Sequence, residues 1–362
     1  MELCDVTLRE GAQMPGRDYS VEQRVEAGRA IDRLGVAAIQ AGFPVVGEEH
    51  AEAVRQLAPV TDAAVTALAR ARPGDVDAAV EAGADVVSLF ASVSDVMLEH
   101  VFGKGREEVF GMLEEAVGRA EDAGVPVRIG LMDGFRTDAE HVVEAAERFP
   151  GYTLGLADTV GNRTPAFVES FLGEVETGGV DLARIGVHFH DDLGVATANT
   201  LAAARAGAGS ADVSVAALGE RAGNTPIEQL VVAGSLEREE TFGVDADALV
   251  PACRDALGAL GEDVDPRRPV LGEEVVRHES GLHTAVMLDH PFVFEPFDPA
   301  EFGGSRELVF GAITGRGAAR KLLERVDRDP TDERVGALLD RLAAEGPTDL
   351  AGALDLARSV EA

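Results

Sequence analysis

The sequence predicts an α/β protein: a (β/α)8 TIM barrel followed by a C-terminal α-helical appendage. Three observations carry this. Eight short apolar runs recur between residues 3 and 217. Polar–apolar stretches of helical period separate them, the alternation that builds parallel β/α units. Ligand-capable side chains gather at the C-terminal ends of the runs, where barrel enzymes place their chemistry, and a count of eight favours a closed barrel over an open sheet.

In chain order the strands are expected at 3–8 (LCDVTL), 37–42 (AAIQAG), 64–69 (AVTALA), 85–91 (DVVSLFA), 126–132 (PVRIGLM), 153–158 (TLGLAD), 184–190 (RIGVHFH) and 212–217 (DVSVAA). Helices are expected at 20–34, 105–123 and 194–207 among others. The strand ends then present Arg9 and Glu10, Gly42-Phe43-Pro44, Arg70, Asp133, Asp158 and Thr159, His188 and His190, and Glu220-Arg221 with Asn224. Residues 1–240 are read as the barrel and catalytic domain. Beyond them the pattern changes to helices with polar connectors (EDVDPRRP as a linker), so 241–362 is read as the appendage.

His188-Phe189-His190 is an H-x-H on a predicted strand. Side chains on a strand alternate faces, so both imidazoles point into the barrel and Phe189 points out. Two histidines from one strand with a carboxylate from a nearby one form a common divalent-metal arrangement. Barrel closure brings the first strand beside the eighth and near the seventh, which makes Glu10 a sensible third ligand with positions left open for water or substrate.

Charge sets the class of partner. Sixty-five acids face 32 bases for a net charge of −33, and only Lys104 and Lys321 are lysines. The acids are spread along the chain, unlike a disordered acidic tail. Self-repulsion of this size is relieved by high salt, where the Debye length is roughly 3 Å at 1 M. This reads as adaptation to the salt-rich cytoplasm of a halophilic archaeon, and it argues against nucleic acid, which needs basic patches. Cys4 and Cys253 are the only cysteines; both read as buried thiols in a reducing cytoplasm. No run approaches the length of a membrane span and no signal peptide is apparent, so a cytoplasmic protein is expected.

Several segments are also recognisable. CDVTLREGAQMPG, GVHFHDDLGVATANTLAAARAGA, GERAGN, HESGLH and VFGAITGRGAARK occur in that order. Together they resemble the acyl-CoA-using TIM-barrel metalloenzymes of amino-acid biosynthesis, the homocitrate, 2-isopropylmalate and citramalate synthases, with the HMG-CoA lyases further off. HESGLH favours synthases, because the lyases lack that appendage. The resemblance implies an acyltransferase that converts acetyl-CoA's acyl group into alkyl by Claisen-type condensation with a 2-oxo acid. It implies a divalent metal (Mg²⁺, Mn²⁺ or Zn²⁺) held by Glu10, His188 and His190 with Asn224 nearby. It also implies Arg9 as the group stabilising charge on the ketone oxygen and Gln13 seating the substrate. Asp158 and Thr159 would line the carboxylate end, with Arg128 as a second anchor. His283 would be the acid/base residue that the appendage brings to the barrel mouth. A homodimer is the family expectation, and the larger synthases' C-terminal feedback domain has no room here. Glu10, where isopropylmalate synthases usually carry Asp, leans toward the homocitrate type.

The chain departs from that pattern at five places. Met132 stands where the family has the Glu that partners the catalytic His, Phe294 where it has Tyr, and Ala285 where it has Asp. Gln40 replaces a Glu, and Val96-Met97 stand where a His is usual. Metal-dependent aldol or lyase chemistry, and an inactive paralogue that binds metal and ligand, therefore remain alternatives. Outside the motifs, Gly103–Arg106 reads as a loop, with contact to a phosphate such as the nucleotide end of CoA as the alternative; His50, His100 and His141 read as surface residues on helices, His278 as a packing residue and His290 as a loop residue. Asp133 is read either as support for the metal or as a helix cap. The phenylalanines 292, 294, 297 and 302 are expected to pack the appendage.

Overall fold

The computed structural model describes residues 1–361. Eight parallel strands close in sequence order into a barrel: β1 Glu2–Asp5, β2 Ala38–Gly42, β3 Ala64–Arg70, β4 Val86–Ala91, β5 Val127–Leu131, β6 Thr153–Asp158, β7 Ile185–Phe189 and β8 Ser210–Val213. Closure is made by β1 on β8, with Cys4 opposite Asp212. Strand alternation sorts the side chains. Ile39, Val65, Val87, Ile129, Leu154 and Val187 face out and have no exposure beneath the helices. Burial of each such side chain is worth roughly 1.5–3 kcal/mol, which ties the barrel wall to the helical layer.

Local chemistry starts and stops the helices between strands. Val21–Asp32 begins with a capping box, Ser20 accepting from the Gln23 N–H while the Gln23 side chain accepts from the Ser20 N–H. Proline opens Pro73–Glu81 and Pro165–Thr177, where a missing N–H costs no helical bond. Left-handed Gly207 ends Ala196–Ala206.

Three boundaries differ from the sequence reading, the first being the eighth strand, expected at 212–217 and found at Ser210–Val213, with Val215–Ala217 a 3-10 turn. The predicted first strand stops at Asp5, and Thr7–Glu10 is a single helical turn. The chain divides into two compact units, Met1–Val264 and the residues from Asp265 onward, so the break falls inside the expected linker and not at 240. The reason is Leu249–Leu260, whose Leu249, Cys253, Ala256, Leu257 and Leu260 form one buried apolar face. That helix packs on Val21–Asp32 of the barrel unit.

The second unit has its own core. Helices Gly281–Met287, Arg316–Arg325, Asp332–Glu345 and Leu350–Arg358 gather around Phe310, Leu322, Leu323, Leu338 and Leu342, none of which is exposed. A two-residue parallel pair, Arg277–His278 with Glu307–Leu308, completes it. Phe302 is buried and meets Phe297 edge-on, but Phe292 is 77% exposed, so the phenylalanines do not all pack as expected. Among the described residues no helix is long and apolar enough to cross a membrane.

Candidate metal centre and acceptor cavity

The site begins with the helical turn after β1. Asp5 accepts from both the N–H and the hydroxyl of Thr7 at 2.9 Å, and the Thr7 hydroxyl oxygen accepts from the Val215 N–H at 2.8 Å. These bonds take the chain out of the strand and lodge the turn against the segment after β8. Arg9 and Glu10 are thereby set at the C-terminal end of the barrel. Arg9 Nε donates to Gln40 Oε1 at 2.6 Å, and its guanidinium also pairs with Glu10 Oε1. Gln40, lacking the family's charge, still holds Arg9 through its amide oxygen.

β7 supplies His188, and His190 follows just past its end, bridged to Asn224. Ligand atoms of Glu10, His188 and His190 lie within 4.8 Å of one another. His188 Nδ1 lies 3.0 Å from Asp212 Oδ2, and its Nε2 lies 3.4 Å from Glu10 Oε1 and 3.1 Å from the Asn224 amide. An acceptor at Nδ1 fixes the proton there and leaves the Nε2 lone pair facing the cluster. Glu10 Oε2, His190 Nδ1 and Asn224 Oδ1 are buried with no hydrogen-bond partner. Buried polar atoms are normally paired, and orphaned atoms on two of the three clustered residues, Glu10 and His190, are what a divalent cation would satisfy. The residue set fits such an ion.

Electrostatics point the same way. Burial would raise the Glu10 carboxyl, but Arg9 and then His188 and His190 bring it below the usual range. Burial, reinforced by His188, brings His190 down to about 4, so its imidazole is neutral at physiological pH. Asp212 is held below the ordinary carboxylate range because Arg128, at 2.7 Å, and His188 outweigh its burial. The Cys4 thiol beneath is pushed up to about 12 by burial and then by Asp212. Both cysteines are buried and free, as expected.

Beside the cluster opens a cavity of about 280 Å³, near the lower end of ligand-pocket sizes. Arg9, Glu10, Gln13, Arg128, Thr159, His188 and His190 all line it, so the structure brings seven of the sequence-derived residues together. Asn224 adjoins it through His188. Asp158 does not join them. Gly155 and Ala157 of β6 and Thr159 just past it face inward, so alternation turns Asp158 away, and its carboxylate accepts the N–H groups of Asn162 and Arg163 at 3.2 and 2.9 Å. Arg128 is not a free anchor either, being paired with Asp212. His283 lies in the second unit on Gly281–Met287, its ring stacked on Phe294 at 4.0 Å and 22°.

Other readings resolve as follows. Asp133 bonds to Ser94 Oγ at 2.7 Å and Arg136 Nε at 2.5 Å, organising its loop rather than a metal ligand. His100 is exposed, but His50 and His141 are half-buried. The Phe43 N–H donates to His50 Nδ1 at 3.3 Å, and burial followed by Arg24 brings His50 down to about 4. The functional side chain that motif reading missed is Asp212. Its signal was an acid inside an apolar strand, in phase with the inward face.

Comparison with known proteins places the chain in a family. The HMGL-like family model matches residues 1–252, and the homocitrate synthase post-HMGL domain-like model matches residues 270–347. The homocitrate synthase AksA of Methanopyrus kandleri is 40% identical over 350 residues, covering 94% of this chain and 87% of that protein. The probable 2-isopropylmalate synthase of the same organism is 37% identical, covering 96% of this chain and 70% of that one. Among solved structures, the HMG-CoA lyase of Bacillus subtilis superposes with a TM-score of 0.65 at 23% identity, covering 74% of this chain and 95% of its own. That last likeness concerns the fold alone.

Proposed function

We propose, from the premise that this chain belongs to the HMGL-like family and carries the homocitrate synthase-type second domain, that it is an acyltransferase condensing acetyl-CoA with a 2-oxo acid. The observation that carries the reading is the Glu10–His188–His190 cluster with its orphaned donor atoms, in a chain whose relatives include homocitrate, 2-isopropylmalate and citramalate synthases.

In this reading Glu10, His188, His190 and Asn224 hold a divalent cation. When bound, the cation polarises the acceptor's ketone as a Lewis acid. Asp212 keeps the His188 proton on Nδ1, so Nε2 stays available for that role. Arg9, oriented by Gln40, faces the oxygen on which negative charge develops, a contact worth roughly 3–4 kcal/mol. Thr159 and Gln13 line the cavity and seat the 2-oxo acid. His283 takes a proton from the acetyl methyl group, whose carbon then bonds to the ketone carbon. Water cleaves the thioester, and CoA leaves as the thiol. Phe294, stacked on the His283 ring, orients that imidazole. The acid excess suits a salt-rich cytoplasm, and a homodimer is the assembly proposed.

The test is CoA-thiol release from acetyl-CoA in multimolar KCl, with Mg²⁺ or Mn²⁺ and a panel of 2-oxo acids. Metal-dependent release that His188→Ala abolishes is the expected result. No release from folded, metal-loaded protein with any acceptor would reject the synthase reading.

A further inference from the structure

The acceptor's side chain is written in the wall across from the metal cluster. In the closed barrel, β3, β4 and β5 lie opposite β7, β8 and β1. From that far side Leu68 on β3, Phe90 on β4 and Met132 just past β5 line the cavity together with Ser88, Gly130 and Arg128, and Phe43 meets Phe90 edge-on at 5.9 Å. A substrate whose carboxylate and ketone are held at Glu10, His188 and His190 extends its tail against these four apolar side chains.

Charge sharpens the point. The only cations lining the cavity among the described residues are Arg9 and Arg128. Each is taken: Arg9 by Glu10, and Arg128 by Asp212 at 2.7 Å. Arg70, over the outer part of Phe43, is held in a two-point pair by Asp75 at 2.6 and 3.0 Å. The lining also carries three carboxylates, Glu10, Asp212 and Glu220. A second carboxylate on the tail would be buried without a partner, and an unpaired buried charge is strongly disfavoured.

The geometry points to a 2-oxo monocarboxylic acid with a short apolar side chain as the acceptor, and to Leu68, Phe90 and Met132 as the residues that select it over 2-oxo dicarboxylic acids. The inference rests on the synthase reading and runs against the homocitrate-type leaning of Glu10.

The experiment measures two things on full-length, Mn²⁺-loaded protein in multimolar KCl. One is calorimetric binding of each 2-oxo acid without acetyl-CoA; the other is CoA-thiol release with it. The probes are pyruvate, 2-oxobutanoate and 2-oxoisovalerate against oxaloacetate and 2-oxoglutarate. The expected result is at least about tenfold tighter binding and higher kcat/KM for an apolar-tailed acid, the scale of apolar-pocket discrimination. Leu68→Arg and Met132→Lys, each placing a free cation in the wall, should narrow or invert the ratio. Selective binding of apolar-tailed acids without thiol release would keep this inference and reject the synthase reading. Equal or tighter binding of a dicarboxylic acid, or no binding of any 2-oxo acid, overturns it.

Discussion

Replacing Asp212 with Asn tests the electrostatic frame of the site. The carboxylate sits 3.0 Å from His188 Nδ1 and 2.7 Å from Arg128, and is 9% exposed. Removing one partner of a buried pair costs roughly 3–5 kcal/mol, because the other charge stays buried and uncompensated. The Asn oxygen can still accept one hydrogen bond, so the lower end is expected. For a unit of this size each kcal/mol moves Tm by about 2–4 °C, giving a fall of about 6–12 °C. Loss of the carboxylate behind a ligating His should also weaken metal affinity about 10–100-fold. Thermal unfolding in fixed KCl with EDTA reads the first effect in the metal-free protein, and Mn²⁺ titration reads the second. The double variant Arg128→Met/Asp212→Leu separates them. It removes both charges and should recover most of the stability, yet bind metal as weakly as Asp212→Asn. An unchanged Tm in Asp212→Asn would refute the buried-pair argument. Wild-type metal affinity in either variant would refute the orienting role assigned to Asp212.

Three further predictions follow from the geometry. Asp5 is fully buried, and burial lifts its carboxyl from 3.8 to about 7 despite two bonds from Thr7. A carboxyl raised in the folded state stabilises most fully below its unfolded pKa, and that stability is lost as pH rises to about 7, an effect of at most roughly 4 kcal/mol. Urea midpoints should therefore fall between pH 4.5 and 7 in the wild type and fall less in Asp5→Asn; equal slopes would reject the assignment. Ala216 and Ala217, after β8, have φ of 51° and 57°, a left-handed conformation that costs L residues about 1–2 kcal/mol. Ala217→Gly should thus raise the denaturant midpoint by about 1 kcal/mol of stability, and a lower midpoint would show that the methyl's packing outweighs the strain. His283→Ala should cut CoA release about 10²–10⁴-fold, the range for a general base, with Mn²⁺ affinity unchanged; retained turnover would move proton transfer to another group.

Much of the fold was legible because it rests on local pattern. Short apolar runs separated by helical stretches located all eight strands, and the one-residue spacing of His188 and His190 put both on the inward side by alternation alone. The opening motif named Arg9 and Glu10. The errors lie where a side-chain contact, near or distant in sequence, overrides the strand pattern. The segment 3–8 has strand composition throughout, yet Asp5 and Val215 bind Thr7 and turn Thr7–Glu10 into a helical turn. Asp158 ends its strand beside Thr159, but alternation and the N–H groups of Asn162 and Arg163 claim its carboxylate. His50 sits on a polar helix face by sequence and is half-buried behind Phe43 in the structure.

By itself, the sequence determined the barrel, the inward histidines and the family's motif order, because side-chain alternation and helical period are properties of neighbouring residues. Tertiary structure alone decided the state of the charges. Closure of β1 on β8 and pairing of β8 with β7 bring Asp212 to His188, and the barrel's width lets Arg128 reach it from β5. Those contacts span many residues of chain, and a buried charge takes its character from whatever closure places beside it rather than from its neighbours in sequence.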